Sequence, residues 1–185
     1  MSSPAPSNNI LRRFRRNSRG SAVVEFALVA PVFFAMLFAI IEIALVFYAN
    51  QVLETITGDN ARTIMTGQSQ DAALTQAQFK TQVCSKVSAL FDCTGGIYID
   101  VRSYSTFGAV NVTEPIDAGK NFINDMKWCP GKDGDIVVVR MFYQWPIFVS
   151  GLGFNLSNLS GNKRLLTATA AFQNEPFTSL GATCS

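Results

Sequence analysis

The 185-residue chain contains no histidine. That removes the commonest general base and the commonest metal ligand, so histidine-centred triads and most zinc sites are excluded. Charge is scarce: 15% of residues are charged and 48% are hydrophobic, which argues against disorder over most of the chain. Acids are absent from the first twenty residues, where Arg12, Arg13, Arg15, Arg16 and Arg19 precede Gly20. Setting aside these five of the 15 basic residues leaves ten against 13 acids, which turns the net charge from +2 to −3. The basic excess is therefore confined to the N-terminus, and no nucleic-acid-binding face is expected. No two cysteines form a CxxC pair. Cys84, Cys93, Cys129 and Cys184 are an even number, as two disulfides in an oxidising compartment require, with four buried thiols as the alternative.

What is present is a long apolar run. Residues 26–41 carry no charge, and apolar character extends from Ala22 to Ala49. As a helix rising ~1.5 Å per residue, that stretch spans roughly 42 Å and can cross a bilayer. The arginines on its N-terminal side predict residues 1–20 in the cytoplasm and everything after about Tyr48 across the inner membrane. The run is long for a secretory signal peptide, and Phe47 and Ala49 make a poor small-x-small cleavage site. An uncleaved signal anchor remains a competing reading. Pro31 cannot donate to the carbonyl of Ala27, so a kink or a local unwinding is expected there.

Glu25 stands inside this run, five residues after Gly20. A charge there is costly, on the order of 2.5–3.5 kcal/mol at mid-membrane and less at the interface. Glycine before a scissile bond lets a peptidase approach the backbone closely, because it has no Cβ. A cut after Gly20 would give Ser21 a cationic α-amino group, with Glu25 one helical turn later on the same face. The stretch Gly20-Ser21-Ala22-Val23-Val24-Glu25-Phe26 resembles the processing site of type IV prepilins. The longer GSAVVEFALVAP, from Gly20 to Pro31, resembles the TadE-like minor pilins of the tight-adherence (Flp) pilus system. ARTIMTG (residues 61–67) and FQNEPF (residues 172–177) are similar to that group as well. Phe26 departs from the tyrosine that many relatives carry. The resemblance implies Gly20 and Ser21 as the processing site and Glu25 and Phe26 as the assembly motif. It also implies a prepilin peptidase, other pilins and pilus-assembly proteins, and the lipid bilayer as partners. Glu42 lies seventeen residues after Glu25, on another face, and is expected near the outer interface, with a second inter-subunit contact as the alternative.

Past Ala49 a weaker helical pattern continues through Leu53, Ile56 and Ile64, and Gly58 or Gly67 could end it. A second helix is expected from Asp71 to about Leu90, although Gln78 spoils its apolar stripe. Alternation in GIYIDVRSY, and the runs Asp135–Trp145 and Lys163–Phe172, read as three strands. The turn signal Lys132-Asp133-Gly134-Asp135 precedes the second. The expected fold class is therefore α+β: a long N-terminal transmembrane helix, then a small periplasmic domain with a second helix and an antiparallel sheet. Cys84 and Cys93, near a helix end and a strand start, make the favoured pair and leave Cys129–Cys184, although four cysteines allow three connectivities.

The expected layout is a basic leader over 1–20 that is removed, a helix over 21–66 and an extracytoplasmic domain over 67–185. Sequons at Asn111, Asn155 and Asn158, the KDGD turn and the glycine pairs GGIY and GLGF lack the context that would give them chemistry. Trp128 and the aromatic group Phe142, Tyr143, Trp145 and Phe148 are expected in the core, with a subunit interface as the alternative. No nucleophile motif or convergent acid pair is present, so neither enzymatic activity nor a cofactor or metal is expected. The expected role is a structural one: a minor subunit of a surface pilus involved in adhesion, or an uncleaved, membrane-anchored periplasmic adaptor.

Overall fold

Helix α1 runs from Ser21 to Met65 and passes Pro31 without a break. The computed structural model describes residues 20–87, 90–93, 95–149, 155–178 and 184. The five leader arginines and the GLGF stretch at 151–154 lie outside the described residues. The chain divides into two units, one ending at Ile41 and one beginning at Glu42. In the first, no described side chain is buried, and Val23, Phe26, Leu28, Val29, Val32 and Phe33 are all exposed. This is a helix long and apolar enough to cross a membrane, as a helix that is apolar all round is expected to do.

The second unit holds the folded α+β part. Val46, Ala49, Leu53, Ile56 and Ile64 of α1 are buried in its main core. Thr57 and Asn60 are buried among them and donate back to the carbonyls of Leu53 and Ile56, at 2.7 and 2.8 Å. Gly67, at φ +79°, ends the helix: its N–H donates to Ile64 O and the chain turns into the short α2, Gln68–Asp71.

The single helix expected from Asp71 to Leu90 is instead interrupted. Ala73 takes φ +47°, and α3 begins afresh at Gln76 and ends at Val87. The restart has a local cause. Thr75 and Gln78 form a reciprocal capping box, the Thr75 N–H donating to Gln78 Oε1 at 2.9 Å and the Gln78 N–H to Thr75 Oγ1 at 3.3 Å. Gln78 is thus exposed because it caps, and the buried stripe is Phe79, Val83 and Val87.

Strands β1 (Ile97–Tyr104), β2 (Ile136–Pro146) and β3 (Lys163–Gln173) form one antiparallel sheet in that order. Pairing of Ile99 with Met141 and of Met141 with Ala168 places Ile97, Ile99, Val101, Val139, Met141 and Leu166 on one face. These share the core with α1 and α3. The opposite face carries Tyr98, Phe142 and Leu165, covered by Ile116, Phe122 and Met126 from the long β1–β2 connection. That connection also adds Trp128 beside β1, with Val101 donating to Lys127 O and Cys129 to Val101 O, both at 2.8 Å. Trp128 is buried against Phe79, and its indole N–H donates to Leu74 O. Disulfides join Cys84 to Cys93 and Cys129 to Cys184.

Candidate functional site

The residues singled out for processing stand at the very start of α1. Gly20 is exposed, and a Cβ built on it would meet nothing within 4 Å. Ser21 opens the helix, and Glu25 and Phe26 are exposed on its first turns, Phe26 at 68%. Gly20, Glu25 and Phe26 are thus solvent-exposed at the start of the helix.

Glu42, by contrast, is only 7% exposed. Its carboxylate accepts the backbone N–H of Phe148 and, at 3.0 Å, that of Val149. Sequence reasoning had no means of finding these partners, because they lie more than a hundred residues away along the chain.

At its other end α1 is held by the C-terminal segment. The Glu175 N–H donates to Met65 O at 2.9 Å, and the Asn174 amide donates to Pro130 O and Lys132 O. Gln70 donates to the same Pro130 carbonyl at 2.9 Å. The Phe177 ring lies so close to Gly67 that a Cβ there would fall 2.7 Å from it. ARTIMTG and FQNEPF, far apart in sequence, thus meet in one joint that closes off the helix end.

Residues 20–62 match the family model described as TadE-like protein. Over that segment the chain is similar to TadE-like proteins. The match starts at Gly20, takes in Glu25 and Glu42, and stops three residues before α1 ends. No curated protein and no solved structure matches the chain. TadE-like proteins are structural components of pilus systems rather than a known enzyme family.

Outside the TadE-like segment, the strongest electrostatic feature is a buried cluster on the covered face of the sheet. Asp100 and Arg140 stand opposite each other in the β1–β2 register, and both are almost fully buried. Arg140 Nε donates to Asp100 Oδ2 at 3.1 Å, and its Nη1 to Thr113 O at 2.8 Å. Arg102 Nε donates to Asp100 at 3.0 Å, its Nη2 donates to Asp125 O, and the Lys127 N–H donates to Asp100 Oδ1. Burial works against the Arg102 charge, but the hydrogen bond and charge of Asp100 outweigh it and raise its pKa. On the same connection, the Asn121 backbone N–H and side chain hold the exposed Asp117 carboxyl below its ordinary range. The hydrogen bonds of the Asp100 cluster run among Asp100, Arg102 and Arg140 and to the backbone of Thr113, Asp125 and Lys127. It pins the long connection to the sheet, as a fully satisfied buried pair should, and offers no open coordination or proton-transfer position.

A cleft of about 300 Å³ lies between α1 and β3, lined by Ile43, Val46, Phe47, Leu156, Leu165 and Leu166, with Asn50, Arg164 and Thr167 as polar members. It brings together no carboxylate or thiol. Among the described residues no group of three potential metal ligands converges. Phe142 and Tyr143 are buried, Trp145 is half-buried and Phe148 is 80% exposed, so the aromatic group divides between core and surface.

Proposed function

We propose that this TadE-like chain is the precursor of a minor pilin-like subunit of a tight-adherence (Flp) pilus. A prepilin peptidase removes residues 1–20, and the mature subunit begins at Ser21. It is held by α1 in the inner membrane with its folded part on the far side, then joins other pilins and serves surface adhesion. The observation that carries this reading is the match that begins at Gly20, on a helix whose residues 26–41 are uncharged and none of them buried.

The mechanism is physical. Cleavage creates a cationic amino group at Ser21, one turn from Glu25. When apolar helices gather out of the lipid, each Glu25 carboxylate pairs with the amino terminus of a neighbour, which offsets the desolvation of both. The apolar residues 22–41 supply the bundling surface, and the folded α+β part decorates or caps the filament. The buried Asp100–Arg140 cluster and the two disulfides suit a domain that must persist outside the cell.

N-terminal sequencing of the protein from membranes and from sheared surface material of its native host tests this. A mature terminus at Ser21 is expected, and Glu25→Ala is expected to be cut but to enter the sheared fraction poorly. An intact Met1 in cells that process their other prepilins would overturn the reading and leave a membrane-anchored adaptor.

A further inference from the structure

Glu42 falls seven residues before Ala49, the last residue of the apolar run. At ~1.5 Å per residue that is about 10 Å back along α1, towards the bilayer. A carboxylate at this depth needs compensation, and it has it: two backbone N–H groups, from Phe148 and Val149, converge on it. The bonds have a geometric consequence. They tie the backbone of the loop after β2 to the level of Glu42, so that part of the folded unit reaches as far down the helix as Glu42 does. There the two neighbouring loop residues part company. Ile147 turns into the core at 4% exposure, while Phe148 points outward at 80%, the most exposed large apolar side chain among the described residues. Leu45, Phe47 and Tyr48, within two turns of Glu42 on α1, are exposed as well. Nothing charged occurs from Pro146 to Asn162.

We propose that the 147–149 loop is a second membrane contact of this protein. Phe148 inserts its ring at the interface of the leaflet facing the folded part, and Glu42 is the positioning residue that holds it there. Lipid is the occupant because the loop shares its level with apolar side chains of the candidate membrane span, and an exposed aromatic at that depth is what membrane–water interfaces favour. The contact would restrain the folded unit at the membrane before assembly. It rests on α1 spanning the bilayer and is independent of cleavage after Gly20.

The test uses the full-length protein in vesicles of phosphatidylethanolamine and phosphatidylglycerol, with a nitroxide label at Phe148→Cys. Labels at Leu37→Cys, inside the apolar run, and Asp133→Cys, in the turn near the far end of α1, serve as lipid and water references. Relaxation by oxygen is compared with relaxation by a water-soluble nickel chelate. Labels at 148 and 37 are expected to favour oxygen, and the label at 133 the chelate. Adding Glu42→Ala is expected to move the 148 label to the aqueous response and leave the 37 label unchanged; an unmoved 148 label would remove the role of Glu42. A 148 label that favours the chelate while 37 favours oxygen would overturn the proposal alone. A 37 label that favours the chelate would overturn the membrane reading beneath it. Low access to both reagents, with dipolar broadening at 148 that vanishes on dilution with unlabelled protein, would replace lipid by a second copy of the chain.

Discussion

In residues 22–41 of α1 apolar side chains point in every direction and none of those described is buried, whereas from Glu42 onward burial recurs at 42, 46, 49, 53, 56, 60 and 64. The steps of three and four residues trace one stripe along the helix. Between them, exposed positions from Gln51 onward carry Gln51, Glu54, Thr55, Asp59 and Arg62, after exposed Leu45, Phe47 and Tyr48; in the first stretch they carry valine, phenylalanine, leucine, methionine and isoleucine, with Glu25 the exception. Backbone and helix type are the same throughout. What changes is the character of the unburied side chains, apolar in one stretch as lipid or a helix bundle would require and increasingly polar in the other as water requires. Glu42 is both the first member of the stripe and an acid inside the apolar run, and it is the point where the two chemistries overlap.

The comparison is broken most severely by cutting the stripe. Leu53 is 1% exposed within the core, and Leu53→Ala is expected to cost about 2–5 kcal/mol. Leu37→Ala, a same-sized deletion in the first stretch, is expected to change the stability of the folded part by less than about 0.5 kcal/mol. Denaturant titration of the full chain in detergent, followed through the fluorescence of buried Trp128, separates the two. Equal effects would mean that the boundary at Glu42 has no energetic meaning.

A smaller loss is expected at the end of the second stretch. Gly67 holds φ +79° and lies under the Phe177 ring, so Gly67→Ala both strains the backbone and displaces the ring. About 1–3 kcal/mol of stability should be lost in the same titration. An unchanged midpoint would mean that the joint between ARTIMTG and FQNEPF contributes nothing to holding the helix end.

How much of this was legible in sequence follows from how far away each residue's partners lie. The strands were readable because Ile97, Ile99 and Val101 alternate and Ile136–Val139 open a continuous apolar run, each a pattern carried within the strand itself. The candidate span was readable because its length and apolar character lie in one continuous run. Asp100 was not, since alternation assigns it to solvent, and its burial depends on Arg140, forty residues on, together with Arg102 and the Lys127 N–H. Glu42 was assigned to an interface or a neighbouring subunit for the same reason: its partners are backbone groups, which carry no side-chain signature. In the candidate processing segment the opposite holds. Gly20, Glu25 and Phe26 are recognisable by resemblance, from residues that lie side by side in the chain. Phe79 was a nearer miss, because Phe79, Val83 and Val87 recur at four-residue steps and the stripe was sought one residue too early, at Gln78.

That error suggests the mildest and most discriminating substitution. If periodicity governed α3, Gln78→Leu would repair its stripe and stabilise the packing of α3 in the core. If the capping box governs, the same change removes the acceptor of the Thr75 N–H and leaves an exposed leucine, so stability should fall by a few tenths of a kcal/mol to about 1. Thr75→Ala removes the other half of the box and should cost about 1 kcal/mol, with Thr75→Ser restoring most of it, because serine keeps the oxygen that accepts from the Gln78 N–H. The double variant Thr75→Ala/Gln78→Leu should lose less than the sum of the two single changes, since each already removes the hydrogen bond from Thr75 Oγ1 to Gln78 Oε1. Strict additivity would show that the two residues act separately, and that the break at Ala73 has some other cause than the fresh start of α3 at its own cap.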